Sequence, residues 1–176
     1  LSNGGDINIS TCGTLATANE LYFLTADIIN STNSTCMDIT ANGITLDCQG
    51  HTIDGLDNTS SLTGIRIYRS PSNQDTLETI KNCTISDWYN RGIYTFLAYK
   101  NKLRNLNIIS NDRNYPTGFE AYGILFDRSD SQEVFNSTIS SNQVGIRNYQ
   151  SNGCNITYNK ITTNRFGLTI DMNIFG

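Results

Sequence analysis

The sequence predicts an all-β solenoid with a period of about 22 residues per coil, and three observations predict it. The last third of the chain aligns with itself, because Gly123-Ile124, Gly145-Ile146 and Gly167-Leu168 recur at a constant interval. Each block contains short runs in which apolar, often β-branched, residues alternate with polar ones, which is the period of strands. Asn, Ser, Asp and Gly separate these runs, as turns require. A fixed period of this length indicates stacked repeats.

Other positions share the same interval, and they indicate what one coil contains. Three short strands in each block leave no room for a helix, and the few leucines argue against a leucine-rich repeat. We therefore expect three strands and three turns per coil, with each strand pairing in parallel with its equivalent about 4.8 Å away. Open edges then remain only at the two ends of the stack. The further matching positions are Val134 with Ile156, Ile139 with Ile161, Ser129 with Ser151, Asn142 with Asn164, and Val144 with Phe166.

On these features the chain resembles the right-handed parallel β-helix repeat proteins, the pectin-lyase-like surface and secreted family. The resemblance rests on the recurrent Gly-Ile/Leu strand and on the Asn-x-Thr-Ile strand at 82–85 and 136–139. The segment 44–55 also resembles the opening coil of archaeal and bacterial surface-exposed members. The resemblance covers residues 36–176 and implies the fold. It leaves the function open, because this fold carries lyases, hydrolases, adhesins and structural proteins.

Residues 1–35 do not fit the repeat, so we expect an N-terminal cap or lead-in segment followed by a β-helix domain over 36–176. A strand from Leu21 to Ile29 would lead into the first coil, and a short helix from Leu15 to Phe23 is the alternative. The polar run from Asn30 to Thr35 is expected to be a loop. A cap of this kind covers the open edges at one end of a stack.

The spacing of the glycines predicts two insertions and an open last strand. Five extra residues fall near Ser70 to Gln74, and about nine fall within Asn111 to Glu120. Insertions on a repeat scaffold decorate one side and often form the binding face. The first coil is expected over Cys36 to Gly55. The interior residues are expected to include Ile39, Ile44, Leu46 and Ile53 in this coil, and Leu168, Ile170 and Met172 in the last strand.

Composition limits the classes of partner that the protein could bind and indicates the compartment in which it works. The formal net charge is −4, from 12 basic and 16 acidic residues, so no basic stripe is present to bind nucleic acid. Only 16% of the residues are charged while Asn, Ser and Thr are abundant, which favours an extracellular or cell-surface protein. No run approaches 18 apolar residues, so we expect no membrane span. The chain begins at Leu1, which fits a cleaved signal peptide or an excised fragment.

The five cysteines favour disulfide bonds over a metal site. No Cys-x-x-Cys pair occurs, and the single histidine, His51, cannot complete a zinc site. A bridge between Cys48 and Cys83 would join adjacent coils, and one between Cys12 and Cys36 would pin the N-terminal segment. The connectivity does not follow from sequence, and an odd count leaves one thiol unpaired, for which Cys154 is the candidate. Disulfides imply an oxidising compartment.

Seven Asn-x-Ser/Thr sequons are candidate glycosylation sites. Some of these asparagines are expected by chance in so Asn- and Thr-rich a chain, and others are expected in interior ladders. Asn30, Asn33 and Asn58 are the sequons for which exposure is most expected. The full set is Asn8, Asn30, Asn33, Asn58, Asn82, Asn136 and Asn155.

Outward positions of the Gly-Ile strands form two columns of side chains that could bind a ligand. Aromatic faces beside Asp and Arg suit a carbohydrate, because rings stack on sugars while charged groups hold hydroxyls or carboxylates. The alternative is that aromatics and threonines simply favour an exposed strand surface. The first column is Arg66, Tyr94, Leu125, Arg147 and Thr169, and the second is Tyr68, Phe96, Asp127, Tyr149 and Asp171. The carbohydrate-binding candidates are Tyr68, Phe96, Asp127, Tyr149 and Arg147.

We find no catalytic set in the sequence. Asp127 and Asp171 would lie two coils apart, about 9.6 Å, which approaches the spacing of an inverting hydrolase. However, the Asn-Thr-Asp, Asp-Asp, Gly-His-Gly and Arg-Ile-Lys signatures of pectinase-type hydrolases are missing. No acidic cluster suggests a calcium-dependent lyase, and one His with two Met argues against copper. We expect no metal and no cofactor.

These observations favour an extracellular structural β-helix, glycosylated and assembled head to tail into a filament, sheath or surface layer. A last coil without a polar cap is the reason to expect self-association through the coil ends. The alternative is a carbohydrate-binding or polysaccharide-cleaving module that uses the outward columns.

Overall fold

The structure is a computed structural model that describes residues 6–56, 60–71, 76–111 and 121–171. All of the regular elements in these ranges are β-strands. In chain order they are β1 (Ile7–Ile9), β2 (Gly13–Leu15), β3 (Leu21–Leu24), β4 (Ile28–Ser31), β5 (Thr35–Ile39), β6 (Thr45–Asp47), β7 (Thr52–Gly55), β8 (Thr63–Tyr68), β9 (Thr79–Lys81), β10 (Thr84–Ser86), β11 (Arg91–Phe96), β12 (Lys102–Arg104), β13 (Asn107–Ile109), β14 (Tyr122–Asp127), β15 (Glu133–Phe135), β16 (Thr138–Ser140), β17 (Val144–Tyr149), β18 (Asn155–Thr157), β19 (Lys160–Thr162) and β20 (Phe166–Asp171).

The strands form three parallel sheets, which confirms the predicted solenoid. The first sheet has the order β1-β3-β6-β9-β12-β15-β18, the second β4-β7-β10-β13-β16-β19, and the third β2-β5-β8-β11-β14-β17-β20. A complete coil contributes one strand to each sheet in turn. In the last two coils the strands pair at the interval read from the sequence, as in Val134 with Ile156 and Ile139 with Ile161. The predicted period is therefore the register of the sheets.

Apolar residues of equivalent strands stack into columns inside the coils. In the second sheet the column is Ile53, Ile85, Ile108 and Ile139, all fully buried. Each such side chain contributes about 1.5–3 kcal/mol when it leaves water. Ile39, Ile44 and Leu46 are also fully buried, so the predicted interior of the first repeat is confirmed.

The repeated glycine of the third sheet is needed because the coils touch there. A Cβ on Gly123 would lie 2.6 Å from the carbonyl oxygen of Gly145, and a Cβ on Gly145 would lie 2.5 Å from that of Gly167. Real Cβ atoms do not approach so closely. The recurring glycine that reveals the period in the sequence is therefore a packing requirement.

A buried ladder of asparagines runs beside these glycines. The Asn142 Oδ1 accepts hydrogen bonds from the Asn111 backbone N–H at 3.0 Å and from its side-chain amide at 3.3 Å, and Asn142 donates in the same way to Asn164. Trp88 occupies the equivalent position one coil earlier, and its backbone N–H donates to the Asn111 Oδ1 at 3.2 Å. The ladder satisfies polar groups at a buried corner that the sheets leave unpaired.

In the last four coils, the turn between the first and second sheets places one residue in the left-handed region. These residues are Asn82 (φ 57°), Asn105 (φ 54°), Asn136 (φ 49°) and Tyr158 (φ 58°). Asparagine tolerates this conformation better than other non-glycine residues, which explains its recurrence at three of these four turns.

The N-terminal segment contributes strands to the sheets themselves. The strands β1 and β3 extend the first sheet, β4 the second and β2 the third, so the sheets continue through the expected boundary at residue 35. The predicted single strand from Leu21 to Ile29 is wrong, because the apolar run crosses a corner and divides into β3 and β4. The alternative helix from Leu15 to Phe23 is also wrong. The expected loop from Asn30 to Thr35 is shorter, since Asn30 and Ser31 end β4 and Thr35 begins β5.

The register confirms two longer coils. Ile65 pairs with Ile93, and Ile93 pairs with Ile124. Both pairs are more widely separated in sequence than Ile124 and Ile146, the equivalent pair of the next coil. Residues 72–75 and 112–120, which contain most of the two predicted insertions, lie outside the described residues. Met172, expected in the interior, lies outside them as well.

Candidate functional site

The outward face of the third sheet carries the two predicted columns, and its register confirms their order. Tyr94 pairs with Arg66 and Leu125, and Phe96 pairs with Tyr68 and Asp127. In the same way Leu125 pairs with Arg147 and Asp127 with Tyr149, while the last strand adds Thr169 and Asp171. The five candidate carbohydrate-binding residues therefore lie on one face, on neighbouring strands.

The aromatic rings of this face stack on each other along the coil axis. The Tyr68 and Phe96 ring centroids are 4.7 Å apart and nearly parallel, and the Arg128 guanidinium lies 4.5 Å from the Phe96 centroid. Because Tyr68 belongs to the preceding coil and Arg128 to the following one, both faces of Phe96 are covered. Such stacking and cation–π contacts contribute about 0.5–1.5 kcal/mol each. A sugar ring could stack on Phe96 only by displacing one of these neighbours.

Asp127 is held by its neighbours rather than presented to solvent. The Tyr94 hydroxyl donates a hydrogen bond to the Asp127 Oδ2 at 3.3 Å, and the Arg128 Nε donates to the Oδ1 at 3.0 Å. Burial raises the pKa of Tyr94 to about 12, and the nearby Asp127 charge acts in the same direction. The Tyr94 hydroxyl therefore remains a hydrogen-bond donor at neutral pH.

Two other arginines of this face are also paired with carboxylates. The Arg66 guanidinium makes a bidentate contact with Asp38 at 2.9 and 2.7 Å, and Arg147 forms an ion pair with Asp171. Asp127 and Asp171 thus each face a guanidinium, and Tyr149 lies between them in the column. Both carboxylates are therefore engaged with side chains of the protein itself.

Within the described residues, no group of three or more His, Cys, Asp or Glu side chains is placed to hold a metal ion. His51 contacts Asp27 instead, with its Nδ1 3.0 Å from the Asp27 Oδ1. The pKa of Asp27 is lowered, first by the hydrogen bond from the Thr52 backbone and then by that from His51. Since Asp27 lies in the preceding coil, this contact joins two coils at a corner.

The cysteines form the two pairs considered from the sequence. Disulfide bonds join Cys12 to Cys36 and Cys48 to Cys83, and Cys154 is a half-buried free thiol. Both bridges link adjacent coils in the N-terminal half. Burial raises the pKa of Cys154, so its thiol stays protonated at neutral pH.

The seven sequons fall in different environments. Asn8, Asn30, Asn33 and Asn155 are exposed. Asn136 is exposed as well, but its side-chain amide donates a hydrogen bond to the Asn105 Oδ1, and that of the half-buried Asn82 donates to the Asp47 Oδ1, at 2.9 Å each. Asn58 lies outside the described residues.

Sequence reasoning missed a buried ion pair between Arg69 and Glu78. The two side chains are almost fully buried, and the Arg69 Nη2 lies 2.8 Å from the Glu78 Oε1. Arg69 also donates to the carbonyl oxygens of Ile39, Tyr68 and Ala41. Burial raises the pKa of Glu78, against the opposing effect of Arg69. The pair closes the insertion between β8 and β9, and no local pattern in the sequence signals it.

A second missed feature is a groove at the corner where strands of the first sheet turn into the second. It has a volume of about 300 Å³. We call it the corner groove, and its lining residues are Gly50, Asn82, Cys83, Thr84, Asn105, Leu106, Asn107, Asn136 and Thr138. The Asn-x-Thr spacing at two of these corners is the sequence signal that could have located it.

Three parallel sheets wound as successive coils define a parallel β-helix protein. The profile of the family described as "Right handed beta helix region" matches residues 19–173, and the chain belongs to that family. The match begins at the segment that forms β3, well before residue 36. Neither the curated proteins nor the solved structures compared with this chain give a match. In the described ranges, no helix is long and apolar enough to cross a membrane.

Proposed function

We propose that the protein is an extracellular structural β-helix, glycosylated at exposed sequons, which assembles head to tail into a filament, sheath or surface layer. The observation that carries this proposal is an open apolar end on the last described coil. Leu168 and Ile170 are 43% and 55% exposed, while their partners on the preceding strand, Ile146 and Asn148, are 0% and 6% exposed. Within the described residues, no further coil covers these interior columns.

The same end retains the shape that accepts another coil. A Cβ on Gly167 would meet only the Ile161 Cγ2, at 3.7 Å, where the equivalent atom on Gly145 would collide with the next coil. Asn164 continues the buried ladder and accepts from Asn142. The backbone edges of β18, β19 and β20 also have no paired strand beyond them within the described residues.

The opposite end offers matching edges for a second copy of this chain. The strands β1 and β2 are the outermost described members of the first and third sheets, to which β18 and β20 also belong. A copy translated along the axis would place its β1 beside β18 and its β2 beside β20, with all strands parallel. Such a heterologous contact does not close on itself, so it produces filaments.

Two disulfides and the low charge support the extracellular part of the proposal. Disulfides persist in oxidising compartments and are rare in the cytosol. The exposed sequons at Asn8, Asn30, Asn33 and Asn155 supply acceptor sites on this surface.

The experiment is sedimentation velocity over a range of concentrations with Ile170→Lys and Tyr68→Lys variants. Tyr68 is a matched control because it is 52% exposed on the side of the stack rather than at its end. We expect the wild type and Tyr68→Lys to form growing assemblies, and Ile170→Lys to remain monomeric because a charge would be buried at the interface. A monomeric wild type, or assembly of Ile170→Lys, would contradict the proposal.

A second candidate function is carbohydrate binding on the outward face of the third sheet. It is favoured by the exposed edges of Tyr68 and Tyr149 and by Arg147, whose guanidinium lies 5.9 Å from the Tyr149 ring centroid. We expect acidic oligosaccharides, measured by titration calorimetry, to bind the wild type and to lose affinity in Arg147→Gln. Cleavage of a bound polysaccharide, checked by a reducing-sugar assay, would require Asp127 or Asp171 and would disappear in their Ala variants.

A further inference from the structure

One column of side chains on the second sheet carries opposite charges at its two ends. Asp27 lies at the N-terminal edge of the sheet, one residue before β4, and its Oδ1 accepts a hydrogen bond from the Thr52 backbone N–H at 2.8 Å. Lys160 lies at the C-terminal edge, as the first residue of β19. The positions between these two charges are polar and uncharged. Paired in register from one coil to the next, the column continues from Asp27 through Thr52, Thr84, Asn107 and Thr138 to Lys160.

Both charged groups are accessible to another molecule. Asp27 and Lys160 are exposed, and within the described ranges Lys160 forms no ion pair. The contacts of Asp27 with Thr52 and His51 both use its Oδ1. Among the residues that the structure describes, the Asp27 Oδ2 therefore has no hydrogen-bond partner. A carboxylate oxygen in this state can accept a further donor.

The coils at the two ends of the stack differ in their overall charge as well. Residues 144–171 contain the three bases Arg147, Lys160 and Arg165 and a single acid, Asp171. Residues 6–56 contain no Lys or Arg. An N-terminal end therefore attracts a C-terminal end, whereas two ends of the same kind repel each other. The six acids in residues 6–56 are Asp6, Glu20, Asp27, Asp38, Asp47 and Asp54.

The first coil lacks a strand in the second sheet. The chain passes from β1 in the first sheet to β2 in the third through only Ser10, Thr11 and Cys12, so the second sheet has six described strands where the other two have seven. When β1 of one copy lies beside β18 of another, β19 and the β4 of the next copy flank an empty strand position. These two strands are then separated by two coil spacings, about 9.6 Å.

We propose that Lys160 of one copy spans this empty position and forms an ion pair with Asp27 of the next copy. The inference rests on the proposed function, and it names the contact that makes the assembly head to tail. Lysine has a flexible four-carbon stem, which together with the Asp27 side chain is long enough to bridge two coil spacings. Its ammonium group donates to the Asp27 Oδ2. A joint between two like ends would instead place like charges near each other, which disfavours it.

The test uses two variants that change opposite ends of the stack. Lys160→Glu places an acid opposite Asp27 of the next copy, and Asp27→Lys places a base opposite Lys160. In sedimentation velocity, each variant alone should associate about three- to tenfold more weakly than the wild type. An equimolar mixture should regain wild-type association, because alternating copies have oppositely charged partners at every joint. A folding defect does not predict this rescue.

Lys102→Glu is the matched control for the change of charge. Lys102 is exposed and begins β12, in the middle of the stack, as Lys160 begins β19 at its end. This variant should associate as the wild type does. A second measurement compares the wild type with Lys160→Gln over a range of NaCl concentrations. Because salt screens exposed charges, association of the wild type should weaken more steeply with NaCl than that of Lys160→Gln.

The inference is overturned if Lys160→Glu associates as tightly as the wild type, or if the mixture of folded variants stays as weak as its components. Equal weakening by Lys102→Glu would also overturn it, as would equal salt dependence of the wild type and Lys160→Gln. In these cases a block of assembly by Ile170→Lys would still support the proposed function, whereas a monomeric wild type would overturn both. Circular dichroism checks the fold of each variant, and if Asp27→Lys does not fold, the salt dependence decides.

Discussion

The N-terminal and C-terminal halves of the stack solve the same packing problem by different means. In the C-terminal half, by which we mean the coils from Tyr122 onward, the strands repeat at one constant interval in all three sheets, and similar contacts recur in each coil. In the N-terminal half the corresponding steps of the first sheet, from Leu21 to Thr45 and from Thr45 to Thr79, are unequal and both longer. The irregular half contains both disulfides and the buried ion pair.

This difference shows that regular coils are held by repeated contacts and irregular coils by individual ones. In a solenoid each coil contacts only its neighbours, so stability is approximately a sum of local terms. The asparagine ladder contributes one similar term per coil, while each disulfide contributes a single large one. A substitution in one half should therefore lower the stability of that half and change the stability of the other half much less.

The largest effect is expected from Cys48→Ala combined with Cys83→Ala. The bridged cysteines have a sequence separation of 35, for which the loss of chain-entropy stabilisation is about 4 kcal/mol. Hydrogen exchange should show faster exchange in β6, β7 and β9, with less change in β17 and β20. Cys154→Ala is the matched control and should change stability by about 1 kcal/mol or less. Uniform loss of protection along the stack would show that the halves do not behave separately.

The next effect is expected from Asn142→Leu in the buried ladder. The substitution preserves the side-chain shape but removes the acceptor of the Asn111 backbone N–H and the donor to the Ile108 carbonyl. Each orphaned buried group costs about 1–3 kcal/mol, so urea denaturation should show a loss of about 3 kcal/mol. Asn136→Ala tests the exposed ladder and should lose about 0.5 kcal/mol, because water replaces its partners. Equal losses in the two variants would contradict the importance of burial.

A smaller effect is expected from Gly145→Ala. The added methyl would lie 2.5 Å from the Gly167 carbonyl oxygen, and the coils must separate to accept it. Overpacking of this kind costs about 1–3 kcal/mol, measurable by thermal unfolding. Gly167→Ala is the control at the same strand position, and its nearest contact at 3.7 Å predicts almost no loss. If both variants lost equal stability, backbone conformation rather than coil contact would explain the glycine.

The smallest effect is the pH dependence of the unfolding free energy that Glu78 causes in the N-terminal half. Because burial raises the pKa of Glu78 above the ordinary 4.5, the folded state binds this proton more tightly than the unfolded chain. The resulting stabilisation is fully present below the unfolded pKa and is lost as pH rises through the folded pKa. Relative to Glu78→Gln, the wild type should lose at most about 1.4 kcal/mol of unfolding free energy per pH unit across this window. A wild type that gains stability relative to Glu78→Gln as pH rises would show that Arg69 dominates the pair.

Much of the C-terminal half could be predicted from sequence because its contacts repeat. Glycine recurs at Gly123 and Gly145 because neighbouring coils touch at these positions. The same recurrence therefore predicts the period, the register of the strands and the outward columns. The disulfide partners Cys48 and Cys83 lie at comparable points of neighbouring coils, which is why the sequence alone suggests them as a pair.

The rest depends on geometry that no local pattern encodes. The pair of Arg69 and Glu78 forms across an insertion, and its partners come from the preceding coil. The run from Leu21 to Ile29 is apolar for most of its length but crosses a corner of the coil. Hydropathy alone therefore did not predict that it divides into β3 and β4. The corner groove arises from the angle between two sheets, and the exposed Tyr158 at its end belongs to no repeated set.

The most direct test of the structural role is electron microscopy of the non-reduced protein without added ligand. Stacking through the coil ends predicts filaments with an axial repeat of about 34 Å for the described part of each subunit, whose first sheet has seven strands at about 4.8 Å each. Filaments that disappear in Ile170→Lys would support assembly through the open end. Dispersed single particles at all concentrations would contradict it.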